Sequence, residues 1–261
     1  MSKYKTILVS NEDFVYGVEK KHYPEIFELK KQGSIDVCTK EDVKEKYAST
    51  VDSLNNEDAI YILNPYTNTC TPLDNPDLEQ NMIIDEGIAV REALVALGAK
   101  HIFIKEEVED KKERGNKAKG GGSTPIYEGE FSGEETKNIR LNLKKILESK
   151  DEGREPESIE ICHKRIYESG LSNNPNLTSL FKRLKDSKDK RLFGTEKISI
   201  EYDEELSRSL DVALKLSKLE VFSANIEVSY KSKALHSFKY EVFADFGPHT
   251  PKEVSSNIIE E

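Results

Sequence analysis

The sequence predicts an α/β domain with a short, mostly parallel, doubly wound sheet, followed by an α+β domain with an antiparallel β-meander. In roughly the first hundred residues, short apolar runs alternate with helix-like segments, which is typical of a parallel sheet covered by helices. A charged, glycine-containing run, KKERGNKAKGGG, then interrupts the pattern. Near the carboxyl terminus, several segments alternate apolar and polar residues, as half-buried antiparallel strands do.

A chain of 261 residues is long enough for two domains of ordinary size. We therefore predict a nucleotide- or nucleoside-binding-like domain, a linker or loop, an α+β domain and a tail, at residues 1–107, 108–125, 126–250 and 251–261.

Four apolar runs of the first domain are predicted to be strands of its sheet: residues 5–10, 34–38, 59–63 and 101–104. Helices are predicted between them, at residues 24–30, 39–54 and 82–98. Consecutive strands and helices of this kind favour parallel pairing with helices on both faces.

The predicted meander uses four alternating segments, residues 198–202, 210–216, 224–230 and 238–246. For the second of these segments a helix is an alternative, because Leu206, Leu210 and Ala213 also follow helical spacing over residues 204–216.

Composition limits the classes of partner. The chain has 39 basic and 49 acidic residues, and a net charge of -10 argues against nonspecific nucleic-acid binding, although a local basic patch is compatible with it. No run approaches the roughly 18–20 apolar residues of a membrane-spanning helix, and the first residues lack a signal-peptide core. The three cysteines and five histidines are not spaced as metal ligands. We expect a cytoplasmic protein with reduced thiols, no metal and no cofactor, and neither nucleic acid nor a membrane as its partner.

Polar residues follow two of the predicted strands. In parallel sheets, ligands bind beyond the carboxyl ends of the strands. Ser10 and Asn11 follow the first strand, and Asn64 and Tyr66 follow the third, so all four are predicted to bind a ligand. No glycine-rich dinucleotide fingerprint and no Walker motif follow the first strand, which disfavours a dehydrogenase or a P-loop NTPase.

The helix over residues 82–98 carries two carboxylates on one face. Asp85 and Glu92 are seven residues apart, hence roughly 10 Å apart along the axis, with Ala89 between them and Ala93 and Ala96 on the same arc. One interpretation is a pocket in which burial tunes a carboxylate as a nucleophile or base, with Glu86 nearby. The other is the solvated back of an amphipathic helix, where alanine serves helix propensity.

Residues 57–107 also carry a family resemblance. The order D-A-I-Y-I-L-N-P, a polar loop, I-I-D and then R-E-A-L-V-A-L-G-A-K-H-I-F-I resembles the corresponding unit of nucleoside deoxyribosyltransferase-like and TIR-like domains. Those families attack N-glycosidic bonds of nucleosides or NAD. The resemblance implies that Glu92 is the nucleophile or catalytic carboxylate, with Asn64 and Asp85 in the same pocket.

The resulting hypothesis is a protein that handles a small nucleotide or nucleoside and cleaves its N-glycosidic bond with a carboxylate. Glu92 and Asp85 are the predicted catalytic residues, and the predicted ligand-binding residues are Ser10, Asn11, Asn64, Tyr66 and Glu86. An alternative is a non-catalytic ligand sensor or assembly protein whose C-terminal sheet binds a protein partner or self-associates. A third interpretation is a membrane-associating or pore-forming β module, because strands of nine or ten alternating residues can span a bilayer.

Overall fold

The computed structural model describes residues 4–47, 59–104, 133–150, 155–201, 204–219 and 239–248. Its strands are β1 (Lys5–Val9), β2 (Ile35–Cys38), β3 (Ala59–Asn64), β4 (Thr69–Pro72), β5 (His101–Ile104), β6 (Ser149–Lys150), β7 (Thr195–Glu201) and β8 (Lys239–Asp245). Its helices are α1 (Glu12–Glu19), α2 (Pro24–Lys31), α3 (Lys40–Lys46), α4 (Leu78–Ala96), α5 (Gly133–Leu147), α6 (Ile159–His163), α7 (Pro175–Asp186) and α8 (Glu204–Ser217). A π-helical turn, Lys164–Glu168, continues α6.

The first sheet has the strand order β2-β1-β3-β4. β1 and β2 are parallel, whereas β3 runs antiparallel to both β1 and β4. The predicted mixture of helices and strands is confirmed, but the predicted mostly parallel pairing is wrong. The chain turns back directly after Asn64, with Asn68 at a φ of 54°, and forms β4 inside the segment predicted to be a polar loop. Apolar runs identify buried strands, but they do not specify a strand's partner or direction.

The second sheet has the order β6-β5-β8-β7, and all of its pairs are antiparallel. β5 was predicted to be a strand of the first sheet and instead pairs with β8 and β6 in the second. In the region of the predicted meander, β7 and β8 are strands that pair directly, and residues 204–217 form the helix that the spacing also allowed. The predicted strand at residues 224–230 lies outside the described residues.

Elements from the two predicted domains are interleaved. β5 precedes the predicted linker but belongs to the second sheet. α8 follows the linker, yet its Leu206 and Leu210 share a core with Leu8 and Ile60 of the first sheet. The predicted linker and tail lie outside the described residues, and the division into two domains stays a prediction.

Helix α4 joins the two cores. Its first turns contribute Leu78 and Met82 to the core of the first sheet, and its later turns contribute Val90 and Leu94 to the core of the second. A helix with apolar residues around most of its circumference is buried on several sides. Among the helices of the described residues, none is both long enough and apolar enough to cross a membrane.

The alanines of α4 fit neither predicted interpretation. Ala89, Ala93 and Ala96 are buried in the core, whereas Ile88 is 39% exposed. On the side of the alanines, the Cys162 thiol of α6 donates to the Ala96 carbonyl at 3.2 Å. On the other side, an added Cβ at Gly87 would lie 2.5 Å from Cδ2 of Leu143 on α5. Small residues thus allow close packing on more than one side of α4, as interiors pack at the density of organic crystals.

Candidate functional site

A hydrogen bond between β3 and α4 forms the centre of the candidate site. Asn64 is the last residue of β3 and is 1% exposed. Its Nδ2 donates to Oδ2 of Asp85 at 2.7 Å, and its Oδ1 accepts from the backbone N–H of Tyr66 at 3.0 Å. Both ends of the amide are therefore used, and Asp85 is held against the turn that follows β3.

The protonation of Asp85 is set by two opposing effects. Burial raises the pKa of the Asp85 carboxyl, because a less polar environment disfavours the charged form, and the hydrogen bond from Asn64 lowers it. Burial is the larger effect, so the pKa of Asp85 lies above its usual value. A carboxylate of this kind is a stronger base, once ionised, than one in water.

The neighbouring carboxylate, Glu86, lies among tyrosines. The Tyr66 hydroxyl hydrogen-bonds Glu86, and burial together with the charge of Glu86 holds the pKa of Tyr66 well above its usual value. The Tyr4 hydroxyl lies 3.4 Å from that of Tyr66, and the two rings meet edge to face with centroids 6.2 Å apart. Burial and the charge of Glu86 likewise hold the pKa of Tyr240, on β8, well above its usual value.

We call this set the junction cluster, because its members come from both sheets and from α4. Its residues are Tyr4, Asn64, Tyr66, Asp85, Glu86 and Tyr240. A turn from the second half of the chain packs against it. Gly170, at a φ of 71°, lies so close to Pro65 that an added Cβ would be 3.0 Å from the Pro65 carbonyl oxygen. The turn after β3 is therefore covered by the segment that follows the π-helical turn.

Glu92 has a different environment from Asp85. Its side chain is 44% exposed, and its Oε2 lies 2.5 Å from Nη1 of Arg165 on the π-helical turn. It is neither fully solvated nor part of the junction cluster. An exposed ion pair of this kind contributes about 0–1 kcal/mol to stability.

The structure does not bring Ser10 and Asn11 to Asn64. Because β1 and β3 are antiparallel, Lys5 lies opposite Leu63, and Ser10, five residues further along, lies about 17 Å from that level at about 3.3 Å per residue. The backbone N–H of Ser10 donates to the carbonyl of Cys38. Asn11 caps α1, which is not among the predicted helices, and its Oδ1 accepts from the N–H of Phe14 at 2.9 Å.

Four of the predicted site residues, Asn64, Tyr66, Asp85 and Glu86, are thus brought together. Sequence reasoning missed Tyr4 and Tyr240, since neither lies at a predicted strand end and Tyr240 is far away in sequence. Within the described ranges, no group of three or more His, Cys, Asp or Glu side chains could hold a metal ion.

Comparison with known proteins adds no assignment. No family model matches the chain, and neither a curated protein nor a solved structure matches it. The resemblance of residues 57–107 to nucleoside deoxyribosyltransferase-like and TIR-like domains stays a prediction.

Proposed function

We propose that this chain binds a nucleoside or nucleotide at the junction cluster and hydrolyses its N-glycosidic bond with Asp85. The observation that carries the proposal is the 2.7 Å hydrogen bond from Asn64 to Asp85. This hydrogen bond fixes the orientation of the Asp85 carboxyl group, whose pKa is raised by burial. Enzymes raise the pKa of an acidic residue by burial when that residue acts as a general base.

In this reaction Asp85 acts in its ionised form. It accepts a proton from water as the water oxygen bonds to the anomeric carbon. The electron pair of the broken carbon–nitrogen bond stays on the base nitrogen. A purine or pyrimidine then takes a proton from solvent, whereas the nicotinamide of NAD leaves as a neutral base without one. The products are the free base and the sugar, and water is the only co-reactant.

The proposal moves the reacting group from Glu92 to Asp85. The Glu92 carboxylate is 44% exposed and is bound by the Arg165 guanidinium, away from Asn64 and the junction cluster. Asp85 accepts its hydrogen bond from the neutral amide of Asn64, and burial keeps the pKa of Asp85 above its usual value. Glu86 and Tyr66 then orient the sugar hydroxyls, because Tyr66 hydrogen-bonds Glu86 and its backbone N–H donates to Asn64, the partner of Asp85.

One observation favours a second function, a non-catalytic sensor or assembly protein. Both predicted catalytic carboxylates have partners within the chain, Glu92 with Arg165 and Asp85 with Asn64. In that case the junction cluster holds α4 between the sheets, and a protein partner or a second copy binds elsewhere.

The deciding experiment measures base release from NAD and from a panel of deoxynucleosides by chromatography. Asp85→Asn is the test variant, since its amide can still accept the hydrogen bond from Asn64. Glu92→Gln is the matched control on the same helix. We expect Asp85→Asn to slow release by about 10²–10⁴-fold, the usual contribution of a general base. Glu92→Gln should leave release within a few-fold of the wild type.

Two results would contradict the proposal. Equal release by the wild type and Asp85→Asn would show that Asp85 does not react. No release from any substrate would favour the non-catalytic function.

A further inference from the structure

The second half of the chain has a local excess of positive charge. Residues 182–191 hold six Lys or Arg against two Asp, in a chain whose net charge is -10. The two arginines of this run are paired, Arg183 with Glu196 and Arg191 with Glu155. Lys190 donates to the backbone carbonyl of Lys185.

Three lysines of the run remain available to a ligand. Lys182, Lys185 and Lys188 are exposed, and none of them forms an ion pair with any residue that the structure describes. The helix dipole explains positive side chains only in the last turn of a helix. It therefore does not explain Lys188, which lies beyond Asp186, where α7 ends.

An aromatic group lies beside these lysines. The rings of His163 and Tyr167 are stacked with centroids 4.6 Å apart, and both meet the ring of Phe181 on α7 edge to face, at 5.9 and 5.6 Å. Phe181 is buried and Tyr167 partly so, whereas His163 is exposed. The outer part of the stack therefore faces solvent.

Helical spacing places the lysines on the flank of α7 that adjoins this stack. At 100° per residue, Lys185 lies about 40° and Lys182 about 100° from Phe181, in the direction away from the buried Leu177 and Leu184. Arg183 lies on the opposite flank, where it reaches Glu196 on β7. Lys182 and Lys185 thus share the side of α7 that carries the aromatic contact, and Lys188 follows just beyond the end of the helix.

We propose that this surface binds single-stranded nucleic acid. His163, with Tyr167 behind it, is the platform on which an unpaired base stacks, and Lys182, Lys185 and Lys188 contact the phosphates that follow it. Proteins that bind single strands combine a positive surface with aromatic side chains in this way. A base in a duplex cannot reach such a platform, so the single strand is favoured over the double strand.

The test uses the full chain and a fluorescently labelled oligothymidylate of about twelve nucleotides, within the usual site-size range. Anisotropy titrations at a series of salt concentrations give the affinity and its salt dependence. Three phosphate contacts predict a log–log slope of about -2, so a fourfold rise in salt weakens binding about twentyfold.

Two sets of variants separate the two parts of the surface. The triple change Lys182→Gln, Lys185→Gln and Lys188→Gln should bring the slope close to zero. His163→Ala should weaken binding by about fivefold or more, the lower end of what one stacked base contributes, with no change of slope. The matched control is a triple change of exposed lysines elsewhere, Lys31→Gln, Lys44→Gln and Lys145→Gln, which should leave affinity and slope near the wild-type values.

Four results would overturn the proposal: no binding at low salt, an equal loss in the control triple variant, duplex bound as tightly as the single strand, or polyglutamate competing as well as the oligonucleotide. The last result would show a surface for acidic protein segments. Retention of the folded state by each variant is checked by circular dichroism, and it is expected because all of the changed residues are exposed.

Discussion

The side-chain amide of Asn64 donates a 2.7 Å hydrogen bond to the carboxylate of Asp85, and this bond connects the end of β3 with α4. Since α4 contributes to the cores of both sheets, the bond lies where the two halves of the structure meet. The same amide accepts from the Tyr66 backbone, so one side chain fixes both the turn and the carboxylate.

Replacing Asn64 by alanine should raise the pKa of Asp85 further, because the variant loses the hydrogen bond that favours the ionised form. It should also lower the free energy of unfolding by about 1–3 kcal/mol, since the Tyr66 N–H loses its partner. Carboxyl-carbon NMR titration measures the pKa, and urea unfolding measures the stability. An unchanged or lower pKa of Asp85 in Asn64→Ala would contradict the role given to this bond.

Replacing Asp85 by asparagine should change how stability depends on pH. The raised pKa of Asp85 means that the folded state holds its proton more tightly than the unfolded state does. Its contribution to stability is therefore complete below the unfolded value of 3.8 and is lost as pH rises through the folded pKa. Relative to Asp85→Asn, the wild type should lose stability between acidic and neutral pH in urea unfolding. A relative gain over that interval would show that the pKa is lowered instead.

The Asp36 network predicts the opposite dependence. Burial raises the pKa of Asp36 and is the largest single effect, but hydrogen bonds from Lys5 and Tyr47 and the charges of Lys5 and Lys46 together lower it below 3.8. The stability that this group contributes is present above its unfolded pKa and is lost as pH falls through the folded pKa.

Tyr47→Phe tests this network, because the Tyr47 hydroxyl lies 2.5 Å from Oδ2 of Asp36. We expect a loss of about 1–2 kcal/mol at neutral pH that shrinks once Asp36 is protonated. Tyr16→Phe is the control, since Tyr16 is 62% exposed and should change stability little. Urea unfolding at neutral pH and below pH 3.8 makes the comparison. A Tyr47→Phe effect that stays constant over this range would argue against ionised Asp36 as its partner.

Gly87→Ala should destabilise the protein although alanine has the higher helix propensity. The added Cβ would lie 2.5 Å from Cδ2 of Leu143, and overpacking of this kind costs about 1–3 kcal/mol. Thermal unfolding measures the loss. Adding Leu143→Val, which shortens the clashing side chain, should restore part of it. If Gly87→Ala alone is neutral or stabilising, close packing of α4 and α5 is not what requires glycine.

Local patterns in the sequence identified many elements but not their pairing. The apolar run at residues 59–63 correctly predicted β3, yet nothing in it showed that β3 runs antiparallel to β1. That direction separates Ser10 from Asn64 and divides the predicted binding residues. The alanines on the Asp85 and Glu92 arc of α4 gave no signal of burial, because a residue that contacts them, Cys162 with its thiol 3.2 Å from the Ala96 carbonyl, lies 66 positions away.

The same limit explains what was missed. Tyr240 lies on β8 and approaches Gly87 and Glu86 of α4. Contacts between residues so far apart in sequence cannot be predicted from the spacing of apolar residues. Residues 204–217 matched strand and helix spacing about equally, and packing against the first sheet selects the helix. The basic segment at residues 182–191 contains no interleaved aromatic residues. His163 and Tyr167 meet Phe181, the residue before this segment, only in the folded chain.

The most direct test of the proposed function is the pH dependence of base release by the wild type and by Asn64→Ala. The account predicts that the wild-type rate rises with pH through an apparent pKa above 3.8, as Asp85 ionises. In Asn64→Ala this rise should move to higher pH, because the ionised form has lost its hydrogen bond. Two results would contradict the assignment of Asp85 as the catalytic residue. One is a pH–rate profile whose rise at acidic pH is unchanged by Asn64→Ala, and the other is no base release at any pH.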